Sequence, residues 1–144
     1  MPAKLTSSIA AAAFAIAVFA APTVASARPK AGFLPVVQVG NSVSFKLRLK
    51  GFRPDGSMVG KANRAGVGHV HFQMDSGAYD YPQYSGANGV LAAKLGIAGK
   101  YSPSVTPSIT YTNLPKGPHR LVAYLVNNDH SINGGFALIK FTVK

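Results

Sequence analysis

The chain has 144 residues and a formal charge of +11, with 15 lysines and arginines against four aspartates, and no glutamate, cysteine or tryptophan. A chain of this length accommodates one domain more readily than two, and without cysteine it cannot form a disulfide, an iron–sulfur cluster, a blue-copper centre or a thiol nucleophile. Because glutamate is absent, a glycosidase carboxylate pair would have to come from four scattered aspartates, so the composition favours binding or structure over catalysis.

The first 27 residues have the pattern of a secretory signal peptide. Lys4 supplies a positive charge, an uninterrupted apolar run extends from residue 9 to residue 21, and Ala25-Ser26-Ala27 matches a cleavage site. The apolar run is too short to span a bilayer, which needs about 20 residues. We therefore expect residues 1–27 to be removed, leaving one domain over 28–144 that is secreted or periplasmic and has no transmembrane segment.

Beyond residue 27, glycine and proline recur too often for helices, and apolar residues alternate with polar ones as they do in strands. In chain order we predict strands at 34–39, 43–49, 67–74, 109–112, 120–126 and 136–143. Alternation is clearest in the second strand, where the odd-numbered residues are apolar and Lys46, Arg48 and Lys50 face outward. Six or seven short strands predict an all-β fold, an antiparallel immunoglobulin-like sandwich of about seven strands.

The sequence pattern of residues 76–106 does not predict clear strands. Four tyrosines stand there among glycine, proline, serine and asparagine, namely Tyr79, Tyr81, Tyr84 and Tyr101. Residues 90–95 have the pattern of a short helix or a short strand. Because a structureless stretch of this length is uncommon in a compact domain, we expect one or two short strands and an ordered loop whose tyrosines pack on the sheet. The aromatic content argues against a disordered insert.

Two of the four histidines, His69 and His71, stand two residues apart in the predicted strand 67–74. Residues i and i+2 of a strand project to the same face, so the two imidazoles are neighbours, about 6–7 Å apart at the backbone. This spacing suits two ligands of one metal ion. The alternate residues of the strand are apolar and are assigned to the core. Gly66 and Gly68 flank the entry to the strand, and we expect them to leave space above it.

His119 and His130 stand 11 residues apart, on either side of strand 120–126, and an extended chain of 11 residues spans roughly 33–36 Å. The two histidines therefore cannot both belong to one small site. In an immunoglobulin-like sandwich the strands 67–74 and 120–126 are antiparallel neighbours, so the start of the first lies beside the end of the second. We predict that His130 converges with the H-x-H pair, with Asp129 as a fourth ligand or as a hydrogen-bond acceptor behind the ligands. His119, the alternative ligand, is expected to pack at the far end.

Three imidazoles, with or without one carboxylate, suit copper(II) or zinc. The sequence therefore predicts a copper or zinc site at this end of the sandwich. The alternative is a metal-free cluster, in which the histidines hydrogen-bond to one another and pin the loop that follows strand 120–126.

Three motifs follow one another along the chain: Gly68-His69-Val70-His71, then Gly117-Pro118-His119, then Asn127-Asn128-Asp129-His130-Ser131. In this combination, over roughly residues 34–144, the chain resembles a group of small exported bacterial domains with GHxH, GxH and NNDHS motifs, some of them labelled cupredoxin-like. The resemblance implies an immunoglobulin-like or cupredoxin-like sandwich with a metal site. The missing cysteine argues against electron transfer through blue copper. The H-x-H pair is also similar to that of copper–zinc superoxide dismutase, whose two-metal site needs six histidines.

The basic residues between 46 and 64 form one block, made of Lys46, Arg48, Lys50, Arg53, Lys61 and Arg64. Export argues against nucleic acid as the partner of this block, despite its charge. Anionic wall polymers or lipid headgroups are better candidates, because exposed lysine and arginine attract them. The alternative is a solvated face that keeps an exported protein soluble.

We therefore predict an exported metal-binding sandwich that handles copper or zinc without catalysis, since the sequence shows no set of nucleophile, base and acid. The alternative function is that of a structural or adhesive envelope module, which binds anionic wall or lipid surfaces through its basic face.

Overall fold

The computed structural model describes residues 27–80 and 100–144, together with Val90 and Lys94. The signal peptide expected at 1–27 lies outside the described residues except for Ala27, and so does most of the segment 90–95. The strands within the described residues are β1 (Lys30–Phe33), β2 (Val37–Val39), β3 (Ser42–Lys50), β4 (Arg53–Pro54), β5 (Val67–Met74), β6 (Ser102–Ser104), β7 (Ser108–Thr112), β8 (Gly117–Val126) and β9 (Ile132–Val143). Two 3-10 turns occur, at Gly56–Met58 and Asp75–Gly77.

The strands form two sheets. In the first, β3 pairs in antiparallel fashion with β1, β2 and β7. In the second, β8 lies between β5 and β9, and β5 also pairs with the short strands β4 and β6. The pairing of β4 with β5 is parallel and the others are antiparallel. The predicted all-β sandwich is confirmed, and so is the antiparallel pairing of strands 67–74 and 120–126, which are β5 and part of β8.

The core lies between the two sheets and follows the predicted alternation. The first sheet contributes the odd-numbered apolar residues of β3, and the second contributes the even-numbered residues of β5 and the odd-numbered residues of β8. The most completely buried of these are Val43, Phe45, Val70, Phe72, Met74, Leu121, Ala123 and Leu125. On β9 the predicted face also points inward, since Ala137 and Val143 are buried and Ile139 and Phe141 pack against the core. The histidines of β5 therefore project to the opposite, outer face.

The predicted strand 34–39 is wrong as a single element. The chain forms β1 and β2 instead, which pair with different parts of β3. Pro35 lies in the gap between them. Proline has no backbone N–H to donate to a ladder, and this accounts for the interruption.

The tyrosine-rich stretch contains one described strand, β6, which pairs with β5. Tyr79 packs against the core, and Tyr101 stacks on His71 with ring centroids 5.3 Å apart. These two tyrosines pack on the sheet as expected. Tyr81 and Tyr84 lie outside the described residues.

Candidate metal centre

The outer face of β5 carries the H-x-H pair. In the register of β5 with β8, His69 lies opposite Val126 and His71 lies opposite Tyr124. The two side chains are buried, and their Nε2 atoms are 3.0 Å apart. The strand spacing alone would leave the rings about 6–7 Å apart, so the side chains lean toward each other over the sheet.

Gly68, immediately before this pair, permits a close approach of backbones. A Cβ atom at Gly68 would stand 1.9 Å from the carbonyl oxygen of Val126. At Gly66 the backbone has φ +70°, and a Cβ atom would stand 3.0 Å from the carbonyl oxygen of Gly51. The expectation that these glycines leave open space is wrong, because neighbouring backbone fills it. Gly68 permits the close approach of β5 to β8 at the point where the histidines lie, and Gly66 permits the close approach of the preceding chain to Gly51.

His130 reaches the cluster from the turn between β8 and β9. The turn is closed by backbone hydrogen bonds from Asn127 N to Ser131 O (2.8 Å) and from His130 N to Asn127 O (3.0 Å). Asp129 Oδ1 accepts from the backbone N–H of Ser131 (3.0 Å) and from its hydroxyl (2.5 Å). His130 itself has φ +70°, in the left-handed region that β-carbon sterics disfavour.

The loop between β4 and β5 holds this turn in place. Asn63 donates from Nδ2 to Asp129 Oδ2 (2.7 Å), and its Oδ1 accepts from the backbone N–H of Asp129 (3.1 Å). Asn128, which is fully buried, donates from Nδ2 to the carbonyl oxygen of Ala62 (2.9 Å), and its backbone carbonyl oxygen accepts from the backbone N–H of Gly60 (2.8 Å). Four hydrogen bonds therefore fix the position from which His130 projects.

The three imidazoles converge as predicted. One nitrogen from each of His69, His71 and His130 can be chosen so that all three lie within 4.8 Å of one another. The ring centroid of His130 is 4.5 Å from that of His69 and 5.7 Å from that of His71. This histidine triad can hold a metal ion.

Several nitrogens of the triad are buried and have no hydrogen-bond partner among the described residues. They are Nδ1 of His69 and both ring nitrogens of His130. A metal-free cluster that pinned the loop by hydrogen bonds would engage His130, yet the hydrogen bond within the triad joins only His69 and His71. Among the described residues, therefore, no hydrogen bond from the ring of His130 pins the turn.

The triad is neutral near pH 7. Burial, and then the proximity of His130, lower the pKa of His69 to about 4. Burial, and then the other two rings, lower the pKa of His71 to about 3. Burial also lowers the pKa of His130, although the Asp129 carboxylate opposes this shift. Because a metal binds the unprotonated ring nitrogen, protons do not compete for the triad at neutral pH.

Asp129 does not join the triad in this structure. Its carboxylate is engaged by Ser131 and Asn63, and these hydrogen bonds, those from Ser131 first, lower its pKa. It builds the turn that presents His130, and its role as a fourth ligand stays a prediction. The Asp-x-Ser spacing is typical of side-chain-capped turns and is the signal in the sequence for this role.

His119, the alternative ligand, lies at the opposite end of β8 from His130 and outside the triad. Its Nδ1 lies 2.6 Å from Asp75 Oδ2 and its Nε2 lies 2.7 Å from the carbonyl oxygen of Pro115. Both nitrogens face acceptors, an arrangement that favours the protonated ring, which can donate from both. Burial opposes that charge, but the Pro115 carbonyl and the Asp75 carboxylate outweigh it and raise the pKa of His119.

One residue of the site, Asn63, carries no obvious signal in the sequence. It acts through a contact between residues far apart in the chain, since it pairs with Asp129 across 66 positions. A polar loop residue gives no local sign of such a contact. Only the topology places the β4–β5 loop beside the β8–β9 turn.

No family model, curated protein or solved structure matches the chain. No helix among the described residues is both long and apolar enough to cross a bilayer. What the triad can bind therefore follows from its own geometry and chemistry.

Proposed function

We propose that the chain is an exported protein that binds one copper(II) or zinc ion through His69, His71 and His130 and acts in metal handling without catalysis. The observation that supports this proposal best is the convergence of three imidazoles, two of them buried and the third, His130, half-buried. Among the described residues, His69 and His130 carry ring nitrogens without a hydrogen-bond partner. Leaving a buried polar atom without a partner costs about 1–3 kcal/mol, and a bound metal would remove that cost at the one ring nitrogen through which it binds each histidine.

The donor set selects the class of metal. Imidazole nitrogens suit zinc and copper, whereas calcium and magnesium require oxygen ligands. The carboxylate nearest to His130 in the sequence, Asp129, is already held by Asn63 and Ser131. Copper(II) or zinc with three protein nitrogens is therefore the assignment that these residues support.

Export is the part of the proposal that rests on the sequence pattern. The apolar run and the cleavage motif of residues 1–27 support it. The resemblance to small exported domains with the same three motifs agrees with it. Metal handling outside the cytoplasm also suits a chain without cysteine, because its ligands cannot be lost to disulfide formation.

Calorimetric titration of the chain over 28–144 with Zn²⁺ and with Cu²⁺ tests the proposal. We expect one ion per chain at micromolar concentrations, and loss of that binding when His69→Ala and His71→Ala are combined. Gln73→Ala is the matched control, because Gln73 is the next residue on the outer face of β5 and lies outside the triad. The absence of binding at micromolar metal would refute the proposed function.

The outer face of the first sheet supports a second candidate function, binding to anionic envelope polymers or lipid headgroups. Lys30 and Lys50 stand directly opposite each other in the β1–β3 pair, an arrangement that like charges disfavour. Lys46 and Arg48 extend the same face of β3, while the strands of this sheet contain no acidic residue. An anionic partner would relieve the repulsion.

The described structure divides the basic block that the sequence suggested. Arg53 belongs to the second sheet and forms an ion pair with Asp55 (3.0 Å), and Lys61 and Arg64 lie in the β4–β5 loop.

We expect vesicles with anionic lipid to bind the protein, and the variant Lys46→Ser with Arg48→Ser to bind less. Binding that persists unchanged at about 0.5 M salt would exclude this electrostatic function.

A further inference from the structure

A pocket adjoins the histidine triad. Its volume is about 140 Å³, and its lining consists of His71, His130, Tyr101, Tyr124, Val126 and Ile132. Ile132 is 60% exposed, so the pocket has a side that reaches the surface. His69, the third member of the triad, is fully buried and is not among the lining residues.

The pocket borders the side of the triad from which a further ligand can approach. Zinc takes four ligands in a tetrahedron and copper(II) takes four or more, so three imidazoles leave at least one position open. Two of the three imidazoles border the pocket and the third is enclosed by protein. A fourth donor from outside the protein can therefore reach a metal held by the triad through this pocket.

We propose that the pocket binds a small aromatic nitrogen heterocycle, of the size of imidazole, whose nitrogen completes the coordination of the metal. This inference rests on the proposed function, because the metal supplies the anchoring bond. It adds that the metal centre accepts an exogenous ligand, so it is not a closed structural site.

The size and the walls of the pocket define the class of ligand. A cavity of about 150 Å³ holds a benzene molecule, which makes a single ring the appropriate size. Tyr101 meets Tyr124 edge to face with centroids 6.1 Å apart and stacks on His71, so flat rings already pack in this region. Val126 and Ile132 add aliphatic surface. No lysine, arginine or carboxylate belongs to the described lining, which favours a flat neutral ligand over a phosphate-like anion.

The test uses the protein loaded with one Cu²⁺ per chain and titrated with imidazole. Electron paramagnetic resonance and the visible absorption band report ligation, and ultrafiltration measures the copper that stays bound. We expect a saturable spectral change with copper retained. Benzimidazole, whose fused ring exceeds the pocket, is expected to bind at least about tenfold more weakly than imidazole.

Two variants separate the pocket from the metal site. Ile132→Trp fills the pocket and is expected to weaken imidazole binding at least about tenfold while copper binding is unchanged. Leu138→Trp is the matched control, because Leu138 is an exposed apolar residue of the same strand outside the pocket lining. If Ile132→Trp does not fold, the ratio of imidazole to benzimidazole affinity in the unmodified protein decides the question.

The outcomes distinguish this inference from the proposed function. A protein that binds neither copper nor zinc refutes the proposed function. A protein that binds copper but shows no spectral change with imidazole, or loses its copper to imidazole, refutes the pocket inference alone. Equal affinity for imidazole and benzimidazole, or equal imidazole affinity in Ile132→Trp and Leu138→Trp, also refutes it.

Discussion

At the scale of the residue, His130 combines backbone strain with an unsatisfied side chain. Its φ of +70° is unfavourable for a residue with a Cβ atom, and such strain costs about 1–3 kcal/mol. Neither ring nitrogen has a hydrogen-bond partner in the part of the chain that the structure describes. The hydrogen bonds of Asp129 and Asn127 hold the residue in this conformation. The turn thus holds His130, the proposed metal ligand, in a backbone conformation that lowers the stability of the fold.

Gly68 provides a residue-scale prediction. Gly68→Ala would place a methyl group 1.9 Å from the carbonyl oxygen of Val126, so β5 and β8 must separate. We expect the free energy of unfolding to fall by about 1–3 kcal/mol and metal affinity to fall with it. Chemical denaturation and calorimetric titration measure the two effects. Gly32→Ala is the control, since a Cβ atom there meets nothing within 4 Å, and equal losses in the two variants would contradict the account.

His119 gives a prediction about pH. Its pKa is raised in the folded protein above the ordinary value of 6.5, so its stabilising contribution is complete below pH 6.5 and is lost as pH rises through the folded pKa. His69 and His71 have lowered pKa values, so their contribution is lost as pH falls from 6.5 toward 4. The two effects have opposite signs.

The variant His119→Gln isolates the contribution of His119 to stability, because the variant and the unmodified protein share the same triad. We expect the variant to be less stable by about 2 kcal/mol at pH 6, with the difference shrinking as pH rises, since it loses two charge-assisted hydrogen bonds. Denaturant unfolding from pH 5.5 to pH 9 measures this difference. A difference that is constant across this range would show that His119 is not held as a cation.

At the scale of the element, the sequence pattern predicts β5, the strand that carries His69 and His71, and the sandwich fold sets the pairing of β5 with β8. Alternation predicts β3, β5 and the inner face of β9, because one face of each is buried and the period of two is clear. The topology then places the start of β5 beside the end of β8. These two steps are sufficient to predict the convergence of the three histidines.

The β8–β9 turn and the β4–β5 loop were beyond prediction, because they are fixed by side-chain hydrogen bonds between distant residues. The sequence predicts Asp129 as a ligand or as an acceptor behind the ligands. In the structure Asp129 lies in the β8–β9 turn, where its carboxylate accepts hydrogen bonds from Ser131 of the same turn and from Asn63 of the β4–β5 loop. Pro35 interrupts the single strand that the sequence predicts at 34–39. The strand β4 pairs with β5 in parallel over only two residues. Short elements of this kind leave no periodic pattern.

A pair of variants tests the role of Asp129. If Asp129 acts by building the turn, Asp129→Ala and Asn63→Ala both weaken metal binding about tenfold or more, because each releases the clamp that positions His130. Calorimetric titration measures both affinities. If Asp129 is instead a direct ligand, Asp129→Ala alone weakens binding and Asn63→Ala leaves it unchanged.

At the scale of the whole molecule, a buried polar network joins the two sheets. Asp80 is fully buried, and its Oδ1 accepts from Ser102 Oγ on β6 (2.5 Å) and from Tyr111 Oη on β7 (2.7 Å). Its Oδ2 accepts from the backbone N–H of Met74 at the end of β5 (2.9 Å). β7 belongs to the first sheet and the other two strands belong to the second.

Tyr111→Phe tests this network. The variant keeps the ring that packs against Phe45 and removes the hydroxyl that donates to Asp80, leaving a buried carboxylate oxygen with one donor fewer. We expect the free energy of unfolding to fall by about 1–3 kcal/mol while metal affinity stays unchanged. Urea unfolding and calorimetric titration measure the two quantities. A loss of metal affinity would show that the core and the metal centre are coupled.

The central claim, a metal held by three imidazoles, is tested most directly by X-ray absorption spectroscopy of the zinc-loaded protein. We predict a first shell with three imidazole nitrogens at about 2.0–2.1 Å and one further oxygen or nitrogen donor that does not come from a fourth histidine. The variant His130→Ala should lose one imidazole from this shell. A first shell made only of oxygen donors, or one unchanged by His130→Ala, would contradict the assignment.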